Sequence, residues 1–205
     1  MRTLFATRLH ETSLAGERNF AAFNAELADA CAMLAAEDNA GRAWCKAKAY
    51  PGYTSYASLN DLPRRATIFA DLVRKLDREA RAFALAVAFD LGPRGKLKLD
   101  SLWVSVLEKG GAHAAHIHPH SVISGTYYVT VPEGAGGLRL EDPRLPMMMA
   151  APPRQADAPE DLRGFIIIAP AVGDVLMWES WLRHEVLPGQ THEARVSLSF
   201  NYAWV

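Results

Sequence analysis

The rhythm of apolar and polar positions changes once along the chain, near residue 95. Before that point the apolar side chains recur at three- and four-residue steps. Phe20, Phe23, Leu27, Cys31 and Leu34 fall on one stripe of a helix expected over Leu14 to Ala36. A second stripe, Phe69, Leu72, Leu76, Phe83 and Val87, predicts a helix near Ile68 to Phe89, with Asn60-Asp61-Leu62-Pro63 offering capping chemistry ahead of it. Pro51-Gly52 separates the two, and residues 3 to 12 are read as a first strand. After Leu91-Gly92-Pro93-Arg94-Gly95 the pattern becomes a series of short β-rich runs, 97–107, 116–131, 137–140, 165–168, 175–178, 182–187 and 194–202. Turn signals such as Lys109-Gly110-Gly111, Pro132-Glu133-Gly134 and Pro188-Gly189 punctuate them. Many short, evenly punctuated strands predict a sandwich or barrel of jelly-roll type, so the fold class expected is mainly β with N-terminal helices. Residues 141–163, with five prolines around Met147-Met148-Met149, read as a surface excursion or the rim of a substrate mouth.

At 205 residues the chain suits a single domain, a helical part over 1–95 and a β core over 96–205. With 22 basic and 23 acidic side chains the net charge is -1, which leaves no general electrostatic attraction for nucleic acid or an anionic membrane. No stretch approaches the roughly 20 apolar residues of a membrane span, and the opening segment lacks an apolar signal core, so a soluble, cytoplasmic protein is expected. Cys31 and Cys45, in helix-like and loop-like surroundings, lack metal-ligand spacing and are expected to be reduced and structural.

The chemistry concentrates in residues 113–128, which hold four of the seven histidines. If 116–131 is one strand, His116 and His118 project from the same face and can grip one ion, while Ile117 points into apolar packing. Imidazole ligands suit Zn, Cu, Fe or Ni, so the pair names no element. A third ligand must come from elsewhere, and His184 is the best candidate. His113 and His120 are weaker candidates, and His10 and His192 are read as surface residues. Strand 182–187 followed by Pro188-Gly189 and strand 194–202 suggests a hairpin that sets His184 abreast of Arg195. By alternation Arg195, Ser197 and Ser199 share one face, and a guanidinium pointing into a cavity calls for a carboxylate. No acid nearby in sequence serves, since Glu193 sits at the turn and Glu185 faces away, so a ligand's carboxylate is its natural partner. Trp178 and Trp181 are read as core or rim aromatics.

The order His116-x-His118, Ser124-Gly125-x-Tyr127-Tyr128, Gly173-Asp174-Val175-Leu176, His184 and Arg195-x-Ser197 resembles the 2-oxoglutarate and Fe(II)-dependent oxygenases. It is most similar to an uncharacterised bacterial branch with a His-x-His-Pro-x-Ser-x-x-Ser-Gly-x-Tyr-Tyr segment. The resemblance implies a double-stranded β-helix core and Fe(II) and 2-oxoglutarate as cofactors. It implies Fe(II) held by His116, His118 and His184, and the distal carboxylate of 2-oxoglutarate held by Arg195 and Ser197 with help from Tyr128. No catalytic group beyond the metal ligands is implied. In the family the second ligand is an Asp or Glu. This chain has His118 there, so its site is three histidines or only two protein ligands. The activity implied is hydroxylation of an unidentified substrate. A metal-binding recognition module without turnover, or a cupin-like metalloenzyme independent of 2-oxoglutarate, are the alternatives the residues leave open.

Overall fold

The computed structural model describes residues 1–205 as ten strands and three helices. Strand β1 (Leu9–Ser13) precedes helices α1 (Phe20–Glu37) and α2 (Asn39–Ala47), and a short strand β2 (Tyr53–Thr54) leads to α3 (Thr67–Ala86). The β-rich part follows as β3 (Leu97–Leu107), β4 (His113–His116), β5 (Ile123–Thr130), β6 (Leu138–Glu141), β7 (Phe165–Ile168), β8 (Asp174–Glu179), β9 (His184–Val186) and β10 (Arg195–Trp204). They form two antiparallel sheets, a six-stranded one ordered β1-β8-β5-β10-β3-β2 and a four-stranded one ordered β4-β9-β6-β7. This is the jelly-roll architecture expected, with helices laid against the outside of the larger sheet.

Strand β10 is the axis of the larger sheet. It pairs with β3 over its whole length and with β5 from Val196 to Tyr202. Its two faces have different chemistry. Leu198, Phe200 and Tyr202 join the larger apolar core, where α3 contributes Ile68, Phe69, Leu72, Leu76, Ala80, Phe83 and Ala84, and α1 contributes Leu27 and Cys31. Arg195, Ser197 and Ser199 face the other way, toward the smaller sheet. A second, smaller core of Tyr128, Leu138, Leu140, Leu176, Trp178 and Leu182 closes the space between the sheets. Gly125 on β5 is required by this packing, because a Cβ there would sit 2.5 Å from the Phe200 ring and 2.5 Å from the Leu176 carbonyl.

Several boundaries differ from those the pattern suggests. The first helical region is two helices: α1 ends at Glu37, and the carboxylate of buried Asp38 accepts from the Gly41 amide at 2.8 Å to start α2. Cys45 therefore lies in a helix, not a loop, and both cysteines are free and buried. The Asn60–Pro63 segment leads into a short 3-10 turn, Leu62–Arg64, rather than capping the helix, and α3 starts beyond it from Ala66 without a side-chain cap. The region 116–131 is not one strand. Pro119 removes a ladder donor, and the chain leaves β4 at His116 and re-enters a strand only at Ile123. Strands β9 and β10 do not form a hairpin; residues 187–194 carry the chain from the smaller sheet to the larger. In the 141–163 excursion only short turns are regular, and Met147 and Met149 stand exposed, away from the cavity between the sheets.

Candidate metal centre and carboxylate pocket

His116 is the last residue of β4 and stands opposite His184, the first residue of β9. His118 lies two residues beyond the strand end, where its backbone N–H donates to the Ser180 carbonyl at 3.0 Å. That bond, rather than strand alternation, turns the third imidazole inward. The three rings offer ligand nitrogens that all lie within 4.8 Å of one another. Ring centroids are 4.3 Å apart for His116 and His184, 4.9 Å for His116 and His118, and 5.2 Å for His118 and His184. Trp178 packs edge-on against His184 at 4.7 Å.

Two of the three tautomers follow from their hydrogen bonds. His116 Nδ1 is 2.7 Å from the Ala114 carbonyl and His184 Nδ1 is 2.8 Å from the Leu182 carbonyl. A carbonyl only accepts, so each Nδ1 carries the proton and each Nε2 keeps its lone pair for a metal. Burial disfavours the charged ring and brings His184 down to about 3 and His118 to about 4, with smaller contributions from the neighbouring imidazoles; His116 is lowered by the same cause. The cluster is therefore neutral at pH 7, the form that binds a cation.

His113 stacks on His116 at 4.4 Å, contacts Tyr50 edge-on and is lowered to about 4 by burial, but lies outside the ligand set. His120 is exposed, as is His192. His10, expected at the surface, is instead half-buried against Phe83 and contacts Glu79 at 3.1 Å. Trp181 is exposed.

Behind the histidines the two sheets enclose a pocket whose walls include Tyr128, Arg195, Ser197, Trp178 and Trp103. Arg195 does not share a hairpin with His184; it faces that residue's pocket from the opposite sheet. It is 2% exposed, makes no ion pair with any acid of the chain, and its Nε has no hydrogen-bond partner. Glu185, as expected, points elsewhere and pairs with Arg139. The Arg195 guanidinium lies 5.0 Å from the Tyr128 ring centroid. Burial raises the Tyr128 hydroxyl; it feels the guanidinium charge but makes no hydrogen bond of proper geometry.

Six buried side-chain polar atoms lack a partner: Tyr50 Oη, Trp103 Nε1, Ser105 Oγ, Tyr128 Oη, Trp178 Nε1 and Arg195 Nε. Every one belongs to a residue lining this pocket. Unpaired buried polar groups are costly, and six around one space suit a polar, anionic guest. Three neutral imidazoles in front and a guanidinium with hydroxyls behind suit a divalent metal and the far end of a dicarboxylate. The chamber has about 30 Å³ of open space, room for a water or two, so seating a dicarboxylate requires wall side chains to turn aside. In front of the histidines it widens into a mouth of about 750 Å³ that includes Trp44, Tyr50, Tyr56 and Trp103. Sequence reasoning missed Trp103, Ser105 and Tyr50. Trp103 and Ser105 lie on the inward face of β3, and only knowledge of which face of β3 meets the cavity would have marked them.

No curated protein matches the chain in sequence. Solved structures share its fold at low identity. A prolyl-4-hydroxylase from Pseudomonas putida superposes with a TM-score of 0.61 at 16% identity, over 96% of this chain and 92% of that one. HygX from Streptomyces hygroscopicus, with nickel and 2-oxoglutarate bound, gives 0.59 at 15% identity over 96% and 82%. SnoN from nogalamycin biosynthesis, an α-ketoglutarate-dependent epimerase with Fe3+ and α-ketoglutarate bound, gives 0.61 at 16% identity over 96% and 79%. A family model described as "Putative 2OG-Fe(II) oxygenase" matches residues 101–201, the span that carries the three histidines, Tyr128, Arg195 and Ser197. Through that span, just under half of the chain, it matches the 2-oxoglutarate and Fe(II)-dependent oxygenases, an oxidoreductase family whose cofactors are Fe(II) and 2-oxoglutarate.

Proposed function

We propose that His116, His118 and His184 hold Fe(II) through Nε2, and that Arg195, with Ser197 and Tyr128, binds the distal carboxylate of 2-oxoglutarate. The observation that carries the second assignment is a guanidinium buried without an acid in a pocket whose orphan donors await an acceptor. When bound, Fe(II) and 2-oxoglutarate supply the oxidising chemistry, in which O₂ is consumed, the cosubstrate loses CO₂ to become succinate and a substrate carbon is hydroxylated.

The protein's own groups have narrower tasks. The Ala114 and Leu182 carbonyls fix two ligand tautomers. Trp178 and Leu138 wall the pocket against water. Three neutral ligands leave the metal's full charge to be balanced by the cosubstrate, so metal and 2-oxoglutarate favour each other's binding. The aromatic mouth is where the substrate approaches. A cupin-like enzyme independent of 2-oxoglutarate would have no use for Arg195. Residues 1–205 act as one unit in this reading, with α1 and α3 of the helical part bracing the sheet that carries Arg195. No helix is long and apolar enough to cross a membrane, and two free buried thiols suit a reducing, cytoplasmic setting.

Anaerobic metal analysis tests the ligand set. His116→Ala and His184→Ala should each abolish stoichiometric Fe(II) binding while the fold is retained. Full occupancy in either variant would remove that residue from the site.

A further inference from the structure

One ligand lacks the carbonyl that fixes the other two. His118 Nδ1 meets no backbone oxygen; its neighbour is the side-chain amide of Asn201, 3.4 Å away. Asn201 is 4% exposed and sits on β10 opposite Ser124 of β5. As oriented, its Nδ2 faces both His118 Nδ1 and, at 3.3 Å, Ser101 Oγ, while its Oδ1 accepts from Ser124 Oγ at 2.8 Å. Ser124 Oγ is in turn 2.8 Å from Ser180 Oγ. With the amide this way round His118 accepts at Nδ1, so its proton resides on Nε2 and that nitrogen has no lone pair for a metal.

The two ends of an amide have nearly the same shape, and a half-turn exchanges them. After that turn Oδ1 accepts from His118 Nδ1–H and from the Ser101 hydroxyl, and Nδ2 donates to Ser124 Oγ, which donates on to Ser180. Each hydroxyl in the chain can donate or accept, so both orientations are fully satisfied and the serines leave the choice open. Nε2 of His118 is free only in the turned form.

Resting on the metal site proposed above, we infer that Asn201 is the positioning residue for His118: its amide sets the ring's tautomer, and His118 becomes the third ligand when the Asn201 carbonyl oxygen faces Nδ1. The serine relay of Ser101, Ser124 and Ser180 gives the unloaded site two states, and the metal selects one. His118 thereby differs from His116 and His184, whose tautomers are fixed whether or not metal is present.

The test uses the full chain. Nitrogen-15 NMR of histidine-labelled protein, metal-free and loaded with diamagnetic Zn(II), reads the protonation of each ring nitrogen directly. His116 and His184 should show protonated Nδ1 in both samples, and His118 should show it in the loaded sample. Fe(II) affinity is then measured anaerobically by competition in two variants. Asn201→Asp presents an acceptor only, holds the required tautomer, and should keep Fe(II) affinity at or above that of the unsubstituted protein. Asn201→Leu removes the acceptor and should weaken Fe(II) about 10- to 100-fold, the usual consequence of losing an outer hydrogen-bond partner of a metal ligand. Rescue by Asp separates positioning from packing, since both substitutions disturb the serine relay. Should the Leu variant fail to fold, the NMR of the unsubstituted protein and the Asp variant still decide. An unprotonated His118 Nδ1 in the Zn(II)-loaded protein, unchanged Fe(II) affinity in folded Asn201→Leu, or loss of affinity in Asn201→Asp would overturn the inference. Normal Fe(II) and 2-oxoglutarate binding alongside such a result would leave the oxygenase reading standing on His116, His184 and Arg195.

Discussion

Replacing Arg195 with Met separates what that side chain does for the ligand from what it does for the fold. Met keeps much of the volume and removes the charge. In the ligand-free protein Arg195 is a buried cation at 2% exposure with no acid and an unpaired Nε. An unsatisfied buried group costs about 1–3 kcal/mol, and more when charged, so Arg195→Met should leave the free protein as stable as before or raise its stability by about that amount. With 2-oxoglutarate bound the sign reverses. Truncating one partner of a buried charge pair costs about 2–5 kcal/mol, which is roughly tens- to thousands-fold in affinity. Thermal unfolding reads both effects in one experiment. Saturating the unsubstituted protein, anaerobically with Fe(II), at a hundred times Kd stabilises it by about 2.7 kcal/mol, or roughly 5–11 °C in Tm for a chain of this size. Arg195→Met at the same 2-oxoglutarate concentration should start at an equal or higher Tm and shift little, with Fe(II) binding nearly intact. An equal ligand-induced shift in both proteins would refute the reasoning, and a large loss of ligand-free stability would mean Arg195 is a structural residue.

Other expectations follow from the same contacts. The metal-free protein should lose stability as pH falls. The buried histidines are lowered, His184 to about 3 and His113 and His118 to about 4, so between the ordinary value near 6.5 and those values the unfolded chain binds protons that the native state refuses. Stability is thus independent of these groups above about pH 6.5 and declines through the window below it. Chemical denaturation across that range checks this; saturating metal should raise stability and extend the decline to lower pH without moving its onset, while a flat profile would contradict it. Gly125→Ala should cost about 1–3 kcal/mol, because its methyl meets the Phe200 ring and the Leu176 carbonyl at 2.5 Å; urea unfolding reads it. Leu72→Ala, at the centre of the α3 contact with the larger sheet, should cost about 2–5 kcal/mol and leave Fe(II) stoichiometry unchanged.

The sequence carried the helix and strand pattern well where periodicity is local. Strand β7 falls where alternation placed it, β3 matches over its full length, and α3 is the predicted second helix shifted by a residue to three. The three histidines and Arg195 were legible as residue types that need partners. What failed was every step that required knowing which sheet a strand joins. His116 ends β4, whereas His118 lies beyond the strand and is held by its N–H bond to the Ser180 carbonyl, so the two do not converge through a shared strand face. His184 and Arg195 converge across the sandwich, not along a hairpin. The same residues still meet in one pocket, by two geometric routes the sequence reading did not use, since the chemical demand of a buried guanidinium survives a change of topology. Trp103, Ser105 and Asn201 stayed invisible because nothing local distinguishes a strand residue facing the pocket from one facing the helices.

In the function proposed, this pocket holds Fe(II) and 2-oxoglutarate together and turns them over. The direct measurement is an anaerobic titration of the protein with Fe(II) and 2-oxoglutarate, followed by admission of O₂ and quantitation of succinate. One equivalent of each should bind and succinate should form when oxygen enters, slowly without substrate, and not at all in His184→Ala. Binding of metal without 2-oxoglutarate, or of both without any succinate after oxygen is admitted, would contradict it.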